Sequence, residues 1–85
     1  HTVCAIMTDE FLKFSKAAGN DLSTSRPEFG FVGLNDGDQW CLCAARWEQA
    51  RQAGKAPKIR LVATNQASLA VCRLDDLKMH AIDLK

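Results

Sequence analysis

The spacing of apolar positions changes several times along the chain, and each change predicts a boundary. Residues 2–8, "TVCAIMT", are apolar on both alternating faces, which predicts a central strand covered on two sides. "TDEFLKFSKAAGND" then switches to helical spacing, with Phe11, Phe14, Ser15 and Ala18 on one face. Thr8 or Asp9 fits the N-cap, the acids that follow suit the helix dipole, and Gly19 fits the C′ position that ends the helix. Residues 20–38 have no sustained period and hold three of the five glycines. They predict a long ordered loop whose Leu22, Phe29, Phe31, Val32 and Leu34 pack down onto one core face.

From Asp38, placed as an N-cap, "QWCLCAARWEQARQAG" predicts a helix to Gly54. Trp40, Cys43, Ala44, Trp47 and Ala50 fall on one apolar stripe, with Arg46, Glu48, Gln49, Arg51 and Gln52 mostly off it. Pro57 starts the next element, and "KIRLVATN" (58–65) alternates as a strand with one wetter face. Thr64 or Asn65 caps a short helix through "ASLAVC", and "LDDLKMHAIDLK" gives a last helical turn or two with Leu74, Leu77 and Ala81 inward. Two apolar strands in so short a chain pair with each other, because each alone leaves its backbone groups unbonded. The expected fold is α+β: a small single domain over residues 1–85, with helices packed on a short two- or three-stranded sheet. A chain that opens directly in a strand is expected to lack an upstream N-terminal segment, which would carry any targeting signal.

Composition narrows the function classes. At 85 residues, folding buries roughly 60–65% of the unfolded surface, so the core is small. Hydrophobic residues make up 47% and charged residues 25%, the mix of an ordinary globular chain. Eleven Lys and Arg against ten Asp and Glu give a net charge of +1, which offers no footprint for nucleic acid. No apolar run approaches the ~18–20 residues of a transmembrane segment, although peripheral association with a membrane complex stays compatible. Two Trp, four Phe and no Tyr suggest no stacking surface for bases.

The four cysteines carry the candidate chemistry. Cys4, Cys41, Cys43 and Cys72 allow three full disulfide pairings, but the ordinary helical pattern and ample apolar content favour free thiols. Cys4 and Cys72 sit among aliphatic neighbours, as small buried hydrophobes do. This favours a reducing compartment: cytoplasm, or an organelle stroma or matrix. On a helix, residues i and i+2 point about 200° apart, so Cys41 and Cys43 would not converge on one metal ion. Neither a C-x-x-C nor a His pair at ligand spacing occurs, and no metal or cofactor is expected. With Asp38 as cap, Cys41 falls in the first helical turn, where unpaired N–H groups and the dipole favour a thiolate. The candidate ligand or thiol site is therefore Cys41, with Trp40, Arg46, Cys4 and Asp38 around it; Cys43, on the apolar stripe, is expected to be buried and inert. His1 and His80 are the only histidines, and neither is tied to Cys41 by spacing. P-loop, dinucleotide-binding, serine-hydrolase and zinc-protease motifs are absent.

"HTVCAIMTDEFLKFSKAAGNDLST", "PEFGFVGL", "GDQWCLCAARW" and the later "A-T-N…L-x-x-L-K-x-H-A" resemble a small family of uncharacterised proteins, domain-of-unknown-function family 2237, found in bacteria and in algae and plants. The resemblance runs from His1 to about Ala81, and "GDxWCLCAxRW" is its hallmark. It implies members longer at the N-terminus, with a Gly/Asp-rich segment carrying a further Cys pair that could meet Cys4, Cys41 or Cys43. It also implies "ATH" where this chain has "ATN", Arg or Lys where Gln39 sits, and Pro where Val32 sits. Asn65 cannot serve as a general base, so a His-dependent activity would be lost here. That favours a non-catalytic accessory or interaction subunit with protein partners, in a larger assembly, organellar or otherwise. The alternative is a cysteine-centred ligand-binding or thiol-chemistry domain using Cys41.

Overall fold

The computed structural model describes residues 1–83, and its backbone follows from where the apolar strand residues find partners. Strand β1 (Val3–Ile6) pairs antiparallel with strand β2 (Gln39–Leu42), Val3 opposite Leu42, Cys4 opposite Cys41, Ala5 opposite Trp40 and Ile6 opposite Gln39. The other side of β1 is bonded too. Ile6 donates its N–H to the Lys58 carbonyl (3.0 Å), and the Cys4 carbonyl accepts from Arg60 N–H (2.8 Å) around an isolated bridge at Ala5 and Ile59. β1 is thus central, as its composition predicts. Its faces are unequal: Val3, Ala5 and Met7 are buried in the core, whereas Cys4 and Ile6 are half-buried. The fold class is α+β, with a two-stranded sheet and three α-helices among the described residues.

The expected strand over 58–65 reduces to Ile59. This fully buried residue bridges β1 on one side and Ala81, in parallel, on the other. Beyond it the chain coils into a 3-10 turn, Leu61–Ala63. The Asp83 carboxylate accepts from the N–H groups of Leu61 (2.8 Å) and Val62 (3.1 Å), so these donors have a local partner instead of a sheet neighbour. Those two bonds hold the Asp83 carboxyl below the usual carboxylate range. The final predicted helical stretch forms α3 (Leu74–His80); its last two residues lie outside the described ones. Leu77 is buried, but Leu74 is 43% exposed, because it begins the helix on its outer side.

Helix α1 (Asp9–Ala17) starts as its sequence predicts. Thr8 stays extended and its hydroxyl accepts from Phe11 N–H (3.1 Å), and Gly19, at φ +95°, ends the helix. Replacing Thr8 by Ala leaves that N–H without its cap and is expected to lower stability by about 1 kcal/mol in urea titrations. Phe11, Leu12 and Ser15 face inward. Phe11 and Leu12 join Ala44, Trp47 and Ala50 of α2 (Ala44–Gln52) and Leu77 of α3 in one core cluster with Val3, Ala5, Met7 and Leu42. Arg51 ties α2 to α3 by bonding both Glu48 (2.5 Å) and Asp76 (3.4 Å).

The 20–38 segment is an ordered loop, as expected, but only part of it packs inward. Leu34 is buried and Leu22 and Phe31 are half-buried, while Phe29 and Val32 are 80% and 85% exposed. A 3-10 turn, Pro27–Phe29, closed by the bridge between Arg26 and Phe31, turns those two side chains outward. Asp21 anchors the start by accepting from the hydroxyls and N–H groups of Ser23 and Thr24, with its carboxyl lowered to about 2 chiefly by the Thr24 hydroxyl. Gly33 sits at φ +83° with Ser23 backbone so close that a Cβ would lie 2.5 Å from its carbonyl oxygen, so only glycine fits. No helix among the described residues is long and apolar enough to cross a membrane.

Candidate functional site

The hallmark stretch divides where the sequence predicts continuity. Residues 39–42 are strand β2, and the helix begins at Ala44 with Cys43 as its N-cap. Asp38 therefore caps no helix. It closes the turn before β2: its carboxylate accepts from Asn35 N–H (2.8 Å), its N–H donates to the Asn35 carbonyl (3.0 Å), and its own carbonyl accepts from Met7 N–H (2.7 Å). The helical stripe holds only for Ala44, Trp47 and Ala50. Upstream of it "QWCL" follows strand alternation: Trp40 and Leu42 lie on one face with Ala5 and Val3, Gln39 and Cys41 on the other with Ile6 and Cys4. Partnership with β1 overrides a helical spacing that extended one turn too far.

This register corrects the reading of Cys41. It occupies no helical turn but stands directly opposite Cys4 across the strand pair, and the two form a disulfide with Cα atoms 3.8 Å apart. The Cys4 backbone is turned the other way, its N–H donating to Thr64 Oγ1 (3.2 Å) and its carbonyl accepting from Arg60. The 4–41 pair is therefore non-hydrogen-bonded, the class in which facing side chains come closest. Cys4 is accordingly a half-cystine rather than a free aliphatic-like thiol.

The disulfide opens onto a cavity of about 580 Å³ lined by His1, Cys4, Gln39, Trp40, Cys41, Arg60 and Ala63, with Ala5 beneath. The lining is mostly apolar; among the described residues that form it Arg60 brings a guanidinium charge, and there is no Asp or Glu. Of the predicted site residues, Cys4, Cys41 and Trp40 are brought together here. Arg46 is not. Its guanidinium donates to the Ala18 carbonyl at the end of α1 (3.1 Å) and it lines a separate, smaller cavity of about 140 Å³ with Asn20, Leu22, Trp40, Leu42 and Cys43. Trp40, 41% exposed, stands between the two cavities, its ring 5.7 Å from that of Phe31.

Cys43, expected to be buried and inert, is exposed and has the features expected of Cys41. The N–H groups of Arg46, then Ala45, at the start of α2 lower its pKa, and the Arg46 charge adds to the effect. Cys72 is buried as predicted; its thiol donates to the Ala44 carbonyl (3.6 Å), and burial pushes its pKa up. Iodoacetamide at neutral pH is accordingly expected to alkylate Cys43 first in the non-reduced protein, with Cys72 protected until the fold opens. Peptide mapping that finds Cys72 modified as fast as Cys43 would contradict the assignment.

The histidines separate as well. His80 packs edge-on against Trp47 with ring centres 5.1 Å apart, and its Nδ1 lies 2.9 Å from the Asp76 carbonyl of its own helix. His1 lies at both cavities. Asn65 lines neither; its side chain accepts from Ala67 N–H (2.8 Å) and caps the 3-10 turn Gln66–Ala70. Among the described residues, no three His, Cys, Asp or Glu side chains group to hold a metal ion. Gln39 and Arg60 were missed as site residues, and the signal for Gln39 was there: period-two alternation in "QWCL" places it beside Cys41. Arg60 reaches the site only through the bridge at Ile59, which no local pattern announces.

The chain matches no curated protein. Residues 1–81 match the family described as uncharacterized protein conserved in bacteria (DUF2237), and the chain belongs to that family.

Proposed function

We propose that this is a thiol–disulfide redox domain whose Cys4–Cys41 couple exchanges with a thiol substrate entering the 580 Å³ cavity. The carrying observation is the position of the couple: both half-cystines line an open, largely apolar cavity instead of lying in the core. The chemistry balances without a further cofactor. A substrate thiolate attacks one sulfur and forms a mixed disulfide, and the other sulfur leaves as a thiolate and takes up a proton. The substrate's second thiol then attacks its own bridged sulfur, so the substrate leaves as a disulfide and the protein as a dithiol, having gained two electrons and two protons. Arg60 supports the departing thiolate by its charge. Oxidised protein mixed anaerobically with a small dithiol should yield one oxidised dithiol per chain, and Cys41→Ser should yield none. No exchange by the native protein before it unfolds would defeat the proposal.

A second reading, a non-catalytic accessory or interaction subunit, draws on Phe29 and Val32, two large apolar side chains almost fully exposed within four residues of one loop. Native-size measurement in cell extract tests it, since a free monomer there would argue against a stable assembly.

A further inference from the structure

β2 is an edge strand, and its register decides what that edge offers. Trp40 and Leu42 direct their backbone groups to Ala5 and Val3, as the non-hydrogen-bonded 4–41 pair requires. The N–H and C=O groups of Gln39 and Cys41 therefore point away from β1, and among the described residues none of these four groups has a backbone or side-chain partner. Gln39 is exposed and Cys41 half-buried. Two residues spaced by one along a strand, each presenting a donor and an acceptor, form the template on which an extended chain adds a strand.

The same edge adjoins the disulfide. Thiol–disulfide exchange proceeds through a near-linear array of three sulfurs, so the attacking sulfur approaches from the side opposite the leaving one. The Cys4–Cys41 bond runs from the central strand to the edge strand. Cys41 stands on the strand whose outer edge is free, whereas the far side of β1 at Cys4 is already taken by Ile59 and Arg60. Attack at Cys41 from the edge releases Cys4 on the side of Arg60, the guanidinium of a cavity whose described lining holds no Asp or Glu. Asp83, whose charge Arg60 also feels, is turned to the N–H groups of Leu61 and Val62. The charge fits an anionic reaction path, from thiolate entering to thiolate leaving.

The geometry points to the substrate class: a cysteine-bearing peptide segment of another protein, bound extended along the outer edge of β2, whose thiolate attacks Cys41 and displaces Cys4. This rests on the redox reading above and adds the docking mode and the sulfur attacked. The bond formed joins the peptide sulfur to Cys41; the bond broken is Cys4–Cys41, with its electron pair and then a proton going to Cys4. A second thiol of the peptide completes its oxidation.

The test uses oxidised protein and three probes: glutathione, an unstructured hexapeptide with one central cysteine, and the same peptide N-methylated at alternate residues so that it cannot pair with a strand edge. Reactions are quenched in acid and mapped by mass spectrometry. The unmodified peptide should react at least tenfold faster than glutathione and than its N-methylated form, with the first adduct on Cys41. Gln39→Pro removes an outward N–H that bonds nothing in the domain, and it should lower the ratio of peptide to glutathione rate by a similar factor. Equal rates for the two peptides, a first adduct on Cys4, or a β2-edge dimer of this chain abolished by Gln39→Pro would each overturn the docking mode while leaving glutathione exchange intact. Failure of all three probes would overturn the redox reading beneath it.

Discussion

Replacing Trp47 by alanine is expected to cost about 3–5 kcal/mol, enough to unfold much of the population at 37 °C in a domain of ordinary stability. Among the described residues the indole is the largest fully buried side chain, at 0% exposure, and it belongs to the one core cluster. Its Nε1–H donates to the Pro57 carbonyl (3.2 Å) and its ring takes the edge of His80 from α3. Truncation opens a cavity, leaves a buried carbonyl without its donor and removes the ring contact between α2 and His80 of α3. Trp47→Phe keeps most of the packing but loses the hydrogen bond, and should cost closer to about 1–2 kcal/mol. Urea denaturation of both variants checks the order. Similar midpoints for Trp47→Ala and the native protein would mean that α2 does not anchor the core.

The second large effect concerns the disulfide. Cys4 and Cys41 are 37 residues apart, and the loop they close contains α1 and the long 20–38 segment. On the chain-entropy account, opening a loop of that length returns about 4 kcal/mol of freedom to the unfolded chain. Reduction is therefore expected to lower the midpoint of thermal unfolding by on the order of 20 °C. The Cys4→Ser, Cys41→Ser double variant should unfold at the same low temperature with or without reductant. A double variant as stable as the oxidised protein would show that the β1–β2 pairing needs no covalent help.

Much of the fold was legible because local signals and tertiary partners agree. Thr8 and Gly19 bound α1 as their types dictate, Val3 and Ala5 bury as strand residues, and Ala44, Trp47 and Ala50 form a helical stripe that holds. The errors cluster where a long-range partner decides. Trp40 and Cys43 happen to fall on that stripe, so spacing alone extended α2 over residues that β1 instead claims as a strand. The consequence was chemical: one displaced helix start gave Cys41 the helix N-terminus that Cys43 occupies and hid the bond between Cys41 and Cys4. The candidate site suffered the same way. Cys4 and Cys41 are distant in sequence, Cys4 reads as a small buried hydrophobe and Cys41 as a lone thiol at a helix start, so only their register opposite one another makes them a couple. Arg60 joins them because Ile59 bridges β1, and the turn after Ile59 depends on Asp83, more than twenty residues away.

The redox reading is tested most directly by counting thiols while the protein is equilibrated in glutathione buffers of stepped ratio, with alkylation and intact-mass measurement at each step. The expected result is two alkylated cysteines, Cys43 and Cys72, under oxidising ratios after unfolding in the alkylating reagent, rising to four in one cooperative step that maps to Cys4 and Cys41. Four alkylated cysteines at every ratio, or a step that maps to any other pair, would contradict it.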